Sequence, residues 1–457
     1  MGDNMKRWTI DCSLTSTQAL FALETLSASV EACAGYPITI EASSENCIHM
    51  ALDTALPENA YRLRVSEANE KGQQVWIFGA DDNALLYCCM DFVHAYLPRA
   101  EASDTSGDPY YFFKLFDDHP LPVIDTVSVP AITHRGLWMW GHCIYDYRKL
   151  FENMARLKLN EIIIWNDYLP INHREVVEAA HRLGIKVIWG FAWGWDTGTT
   201  RMDLSDNASL QRAADAVLEI YERDYADCGA DGIYFQSFTE TSRESLNGRL
   251  IAQVVVEWVN GIAERLLEKH PNLLLQFGLH ASSVKQRLNY IAKIDPRIHI
   301  IWEDCGDFPY AYMPCMQSDP AGTRAFTDAM LSLRPGTTTG AVLKGMICLD
   351  WSKFEHQRGS YVLGCADETT IQKRLPAAKR IWRYIQSDWM TRGDMCRQTI
   401  EQLSAQNVEL YALAEDGVIE RGMTLPVALY AAMLWNPGQN FADMLRETAR
   451  RPDVVLY

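Results

Sequence analysis

The chain has 457 residues, too many for one ordinary domain and enough for two or three. Apolar residues make up 48% of it, which suits a globular protein with a large core, and the formal net charge is −17. That acidity argues against binding nucleic acid or an anionic membrane, because both rely on cationic patches. No stretch of about 18 uninterrupted apolar residues occurs, so no membrane span is expected. The start, Met1 to Trp8, is not followed by an apolar signal core, which points to a cytoplasmic protein. The 12 cysteines are then expected as reduced, mostly buried thiols. Cys88-Cys89 is their only close pair, no CxxC occurs, and no Cys/His spacing matches a zinc pattern, so no metal is expected.

Taken in chain order, residues 1 to about 115 read as a small α/β unit. Thr17 to Glu31 has helical apolar spacing, and Tyr36–Glu41, Ala60–Val65 and Gln74–Gly79 read as strands. A helix from Asp82 to Tyr96 stops at Pro98, and residues 100–109 form a polar loop. From about 130 short apolar runs alternate with longer helical patterns, the signature of repeated βα units. The expected strands are His134–Trp140, Glu161–Trp165, Lys186–Trp193, Gly232–Ser237, Leu273–Gly278, Ile298–Trp302, Gly345–Leu349 and Tyr361–Gly364. Helices are expected between them at Tyr147–Leu157, His173–Leu183, Leu210–Cys228 and Gly248–His270. Eight such units predict a (β/α)8 barrel over 130–367. Residues 368–457 read as a helical region with helices at Arg374–Gln386, Met395–Glu415 and Asn440–Ala449. No GxGxxG, phosphate loop, solenoid period or low-complexity tract interrupts this pattern.

In such a barrel, catalytic groups come from the C-terminal ends of the strands and the loops beyond them. Trp140-Gly141-His142 follows the first expected strand, Trp165-Asn166-Asp167 the second, and Trp193-Gly194-Trp195-Asp196 the third. Ser237-Phe238-Thr239-Glu240 follows the fourth, His280 the fifth, Trp302-Glu303-Asp304 the sixth, and Asp350-Trp351 the seventh. Carboxylates and tryptophans thus recur together at strand ends. Glycoside cleavage needs a protonated carboxylic acid for the leaving oxygen and a second carboxylate as base or nucleophile. Tryptophan faces hold the apolar faces of sugar rings. Asp and Glu also cap helices after strands, and Trp138, Trp165 and Trp189 can equally be core. Glu240 is the carboxylate singled out, since it follows the alternating run Gly232 to Ser237.

Several stretches resemble known barrel glycosidases. His134-Arg135-Gly136-Leu137, and Met154 to Asn160 leading to Trp165-Asn166-Asp167, resemble the first barrel units of family 20 β-N-acetylhexosaminidases. Val176 to Ile188 resembles the third unit of that group. Phe78 to Tyr87 resembles the small α/β domain that precedes the barrel there and in family 67 α-glucuronidases. Trp435-Asn436-Pro437 is similar to C-terminal motifs of related enzymes. The resemblance implies that Glu240 is the general acid and that Arg135 grips the hydroxyls of the terminal sugar. Substrate-assisted hexosaminidases carry Asp directly before the acid, whereas this chain has Thr239. Family 67 enzymes lack that Asp and draw their base from later strands, a part open to Glu303, Asp304 or Asp350. The remaining substrate contacts are expected among Trp140, His142, Asn166, Asp167, Trp193, Asp196, His280, Trp302 and Trp351, with Lys344 and Arg358 as further candidates for a hydroxyl or a uronate.

The expectation is an exo-acting hydrolase of an oligosaccharide or glycoside, without metal or organic cofactor, its specificity between hexosaminidase and glucuronidase types open. The departure at Thr239 keeps a non-catalytic sugar-binding barrel as the alternative. A homo-oligomer is left open.

Overall fold

A computed structural model describes residues 7–97, 120–166, 168–194, 203–237, 244–279, 287–303, 320–346, 359–414 and 420–457. The first unit is a six-stranded sheet of β1 (Thr9–Cys12), β2 (Thr39–Ile40), β3 (Cys47–Leu52), β4 (Tyr61–Val65), β5 (Gln74–Gly79) and β6 (Ile124–Ser128), in the order β2-β1-β3-β5-β4-β6. Helix α1 (Thr17–Ala34) starts where the Ser16 hydroxyl accepts the Ala19 N–H and ends at Gly35, whose left-handed backbone releases the chain. It buries Ala19, Ala22, Leu26 and Val30 at helical spacing. Helix α2 (Asp82–Asp91), capped by Asp81, continues as a π-helical turn over Phe92–Tyr96. The sheet reaches past the expected boundary at 115, since β6 pairs with β4.

The second unit is a closed parallel barrel: the (β/α)8 barrel is present. Its strands are β7 (Arg135–Trp140), β8 (Glu161–Trp165), β9 (Lys186–Gly190), β10 (Gly232–Phe235), β11 (Leu274–Leu279), β12 (Ile298–Trp302), β13 (Thr339–Met346) and β14 (Glu409–Ala414), and β14 closes on β7. Outside it run α3 (Tyr147–Arg156), α4 (His173–His181), α5 (Asn207–Ile220), α6 (Ile251–Lys269), α7 (Pro320–Leu331) and α8 (Glu368–Ser404). Helices α9 (Leu425–Trp435) and α10 (Phe441–Ala449) follow the last strand.

Six strands stand where the sequence places them, and the last two do not. Residues 361–364 are not a strand: Asn172 takes both the N–H and the C=O of Leu363, and Gly364 turns at φ 66° against Tyr147. The seventh strand begins earlier, at Thr339, and the eighth is Glu409–Ala414, so the barrel runs past residue 367. Val408, Leu410 and Leu413 are spaced ambiguously between helix and strand, which is why this stretch read as the end of a helix. The expected helices at 374–386 and 395–415 are mostly one, α8. Gly393 does not break it, because it lies beneath Phe441 of α10, where a Cβ would come within 2.8 Å of the ring.

The two units meet at the N-terminal end of the barrel. Trp435 stacks on Tyr61 with ring centroids 5.5 Å apart, and Lys158 Nζ donates to both oxygens of Asp91 at 2.8 and 2.9 Å. No helix of the described residues is long and apolar enough to cross a membrane.

Candidate active site at the C-terminal mouth of the barrel

Side chains that touch across non-adjacent strands identify the barrel interior, which has two polar layers. At the N-terminal end, Glu161 of β8 accepts from His134 Nδ1 at 2.6 Å and from the Tyr411 hydroxyl of β14 at 2.6 Å, with Lys186 Nζ at 3.3 Å. Gln276 Nε2 donates to Glu409 Oε2 and to the Tyr411 hydroxyl at 2.8 Å each, and Glu409 Oε1 also faces His299 Nδ1 at 2.7 Å. Burial alone would push the Glu161 carboxyl up, but the His134 bond and charge, with Lys186 and Tyr411, hold it down at about 2.

The second layer lies toward the C-terminal end. Trp138 and Trp140, two residues apart on β7, share one face. Their ring centroids are 4.9 Å apart, and Trp138 lies 6.1 Å from Trp165 of β8 and 6.0 Å from Tyr234 of β10. Beside this aromatic wall stands Glu303, just past β12. Its Oε1 accepts from the Tyr234 hydroxyl and Gln236 Nε2, and its Oε2 is paired with Lys344 Nζ of β13 at 3.0 Å. The ion pair is almost wholly removed from solvent, with the two side chains 5% and 3% exposed. Desolvation, then the charge of Glu303, raises the Tyr234 phenol well above its ordinary value, so it stays a hydrogen-bond donor. Gly278 of β11 makes room for this contact, since a Cβ there would collide with the Tyr234 hydroxyl and come within 2.8 Å of Glu303 Oε1. At the rim, Asn166 donates to the Tyr361 hydroxyl and packs on Gly141, while the half-buried His142 ring sits 6.2 Å from Trp140.

Of the sequence-predicted site residues, the structure brings together Trp140, His142, Asn166, Glu303 and Lys344. Three go elsewhere. Arg135 sits at the opposite end of β7, where its guanidinium donates to the carbonyls of Lys158, Ile132 and Thr133 at 2.7–2.9 Å and lies over Tyr87 and Trp435. It holds the joint between the two units and does not reach the mouth. Trp193 is stacked on Phe235, with centroids 3.6 Å apart, in the layer between strands and helices. Trp302 also faces outward and donates to Thr327 Oγ1 of α7 at 3.0 Å. Glu240, Asp304, Asp350, Asp167, Asp196, His280, Trp351 and Arg358 lie outside the described residues. Sequence reasoning missed Tyr234, Gln236 and Gly278. The alternation Gly232, Tyr234, Gln236 along β10 and one residue past its end was the signal, because it sets an aromatic and an amide on one side of a chain running to the mouth. Among the described residues no group of three or more His, Cys, Asp or Glu is gathered that could hold a metal ion.

No family model matches the chain, and no curated protein matches it. The chain is similar to the solved structure of CpGH84D, at 14% identity and a TM-score of 0.44, over 74% of this chain and 56% of that one. At that distance the likeness assigns neither a family nor a chemistry, and the chain spans little more than half the length of that protein.

Proposed function

We propose that this protein is a glycoside hydrolase that removes a terminal sugar from an oligosaccharide or glycoconjugate, with Glu240 as the general acid. The observation that carries this reading is the pairing of the Trp138–Trp140–Trp165 wall with a carboxylate, Glu303, fixed in the C-terminal half of a closed barrel. Tryptophan faces offer apolar surface to sugar rings at low entropy cost, and this end is where (β/α)8 enzymes do their chemistry. Glu240 follows β10, the strand that carries Tyr234 and leads directly into Gln236. Both oxygens of Glu303 are already engaged, which suits a fixed anionic support better than an attacking nucleophile. The second carboxylate of the reaction is then Asp304 or Asp350. Thr239 directly before Glu240 speaks against catalysis assisted by a substrate acetamido group.

The test is a panel of aryl α-glucuronides, β-N-acetylglucosaminides, β-N-acetylgalactosaminides and β-galactosides. Release of the aryl group from at least one member is expected, and no turnover on any member at micromolar enzyme would contradict the reading. The saturation of Glu303 favours one second reading, a barrel that binds sugar without cleaving it. Binding of a panel member without release would select that reading.

A further inference from the structure

The chain between β13 and α8 reaches away from its own strand. In the barrel order β14 and β7 stand between β13 and β8. Residues 361–363 nevertheless lie on the loop after β8, and residues 365–366 on the turn after β7. The Ile171 N–H donates to the Tyr361 carbonyl at 2.9 Å, the Ala366 N–H to the Tyr145 carbonyl at 3.2 Å, and Cys365 makes a backbone bridge with Asp146. Asn172 stands at the N-cap of α4, yet its amide caps no helical N–H. It accepts from the Leu363 N–H at 2.9 Å and donates to the Leu363 carbonyl at 3.0 Å, while the Leu363 side chain is sunk in the barrel core. Residues 361–366 are therefore a strap tied at several points, and a segment so held presents a pre-organised surface.

The strap borders the candidate active site. The buried Asn166 amide, which follows β8 and packs on Gly141, donates to the Tyr361 hydroxyl, and the Trp140 and His142 rings stand at the adjoining end of β7. The half-buried Tyr361 ring thus belongs to the rim of the mouth. Beside it the exposed side chains are apolar: Ile171 is 64% exposed, Val362 50% and Tyr168 37%. In the described loops after the barrel strands, Leu250 is the other large apolar side chain so exposed. Apolar groups scattered singly over a surface are ordinary. Ile171 and Val362 are not scattered, because the Ile171–Tyr361 bond sets Ile171 against the segment that carries Val362.

The barrel is filled beneath the tryptophan wall by the Glu161, Tyr411 and Gln276 layer, so a sugar seated on the wall has its aglycone directed to the rim. The side chains of Ile171 and Val362 offer that aglycone apolar surface and no hydrogen-bond partner for hydroxyl groups. A second sugar ring would lose water there without compensation. We propose that Tyr361, Ile171 and Val362 form an aglycone subsite, and that the substrates are glycosides of an apolar alkyl or aryl aglycone. This rests on the barrel-mouth reading and narrows it from any terminal sugar conjugate to that class.

The test compares methyl and hexyl glycosides of the four sugars in the panel. The two alkoxide leaving groups are of nearly equal basicity, so a difference between them reports binding and not bond cleavage. kcat/KM is measured for each sugar that is cleaved, and Kd by calorimetry for each that is bound without release. For at least one sugar the hexyl glycoside is expected to be preferred about 30-fold, which burial of about two to three methylene groups gives. In the double variant Ile171→Ser, Val362→Ser the preference should fall to about threefold. Both side chains are exposed, so this variant is expected to fold. Val127→Ser, a change at an exposed valine of the N-terminal sheet, should keep a preference of about 30-fold. A preference seen only in Kd, with no sugar cleaved, supports the subsite and contradicts the hydrolase reading. Turnover with equal values for methyl and hexyl glycosides overturns the subsite and leaves the hydrolase reading standing. The subsite is also overturned by a preference unchanged in the folded double variant, by no binding of any hexyl glycoside at millimolar concentration, or by a changed oligomeric state in that variant with the preference intact.

Discussion

The two ends of the barrel interior use the same kinds of residue for different ends. Both hold a buried glutamate bonded to a tyrosine and a cation: Glu161 with Tyr411, His134 and Lys186 at one end, Glu303 with Tyr234 and Lys344 at the other. At the N-terminal end the cations lie at the edge, with Lys186 47% and His134 34% exposed, and the network closes on itself through Gln276, Glu409 and His299. At the C-terminal end the cation is sunk with its partner and the neighbours are indole faces. A buried carboxylate alone therefore does not mark a site in this protein.

The contrast predicts unequal costs. Lys344→Met strands a buried anion and is expected to cost about 3–5 kcal/mol in urea unfolding, with much of that recovered in the double variant Lys344→Met, Glu303→Leu. A cost below about 1 kcal/mol would mean that the pair is solvated and the two ends alike. Arg135→Met removes a guanidinium that serves three backbone carbonyls. It is expected to cost about 2–4 kcal/mol while leaving KM for any cleaved glycoside unchanged. A raised KM at unchanged stability would return Arg135 to the substrate.

The mildest effect concerns pH. Glu161 is held at about 2, below its ordinary 4.5, so its stabilisation is present above pH 4.5 and is lost as the pH falls from there toward 2. His134 is raised by its bond to Glu161, so its share is complete below 6.5 and fades as the pH climbs through its raised value. Both groups are charged between about pH 4.5 and 6.5, where the pairing contributes fully. Glu161→Gln should flatten both limbs of the stability profile in urea titrations at successive pH values. An unchanged acid limb would show that Glu161 is not the group responsible.

Much of this was legible in the sequence, and the failures have physical causes. The β8 run Glu161 to Trp165 and the β10 run Gly232 to Phe235 are short, apolar and bounded by turns, so strand spacing found them. The eighth strand was hidden because Leu410 and Leu413 also fit helical spacing and no Gly or Pro separates them from α8. The substrate role of Arg135 rests on the family resemblance alone and runs against the rule that ligands meet the C-terminal ends of barrel strands. Arg135 stands first in β7, at the end away from the mouth. Trp193 and Trp302 illustrate the alternation of strands: a tryptophan one residue out of phase with the inner face packs against helices instead of substrate. The Glu303–Lys344 pair joins β12 to β13, and no local pattern announces a contact of that separation.

The account depends most on Glu240. The direct measurement is kcat/KM of Glu240→Gln on a glycoside with a poor leaving group and on its activated nitrophenyl counterpart, both taken from the class that the panel identifies. A general acid predicts a loss of about 10²–10⁴-fold on the poor leaving group and a much smaller loss on the activated one. Equal losses on both, or full activity on both, would contradict it.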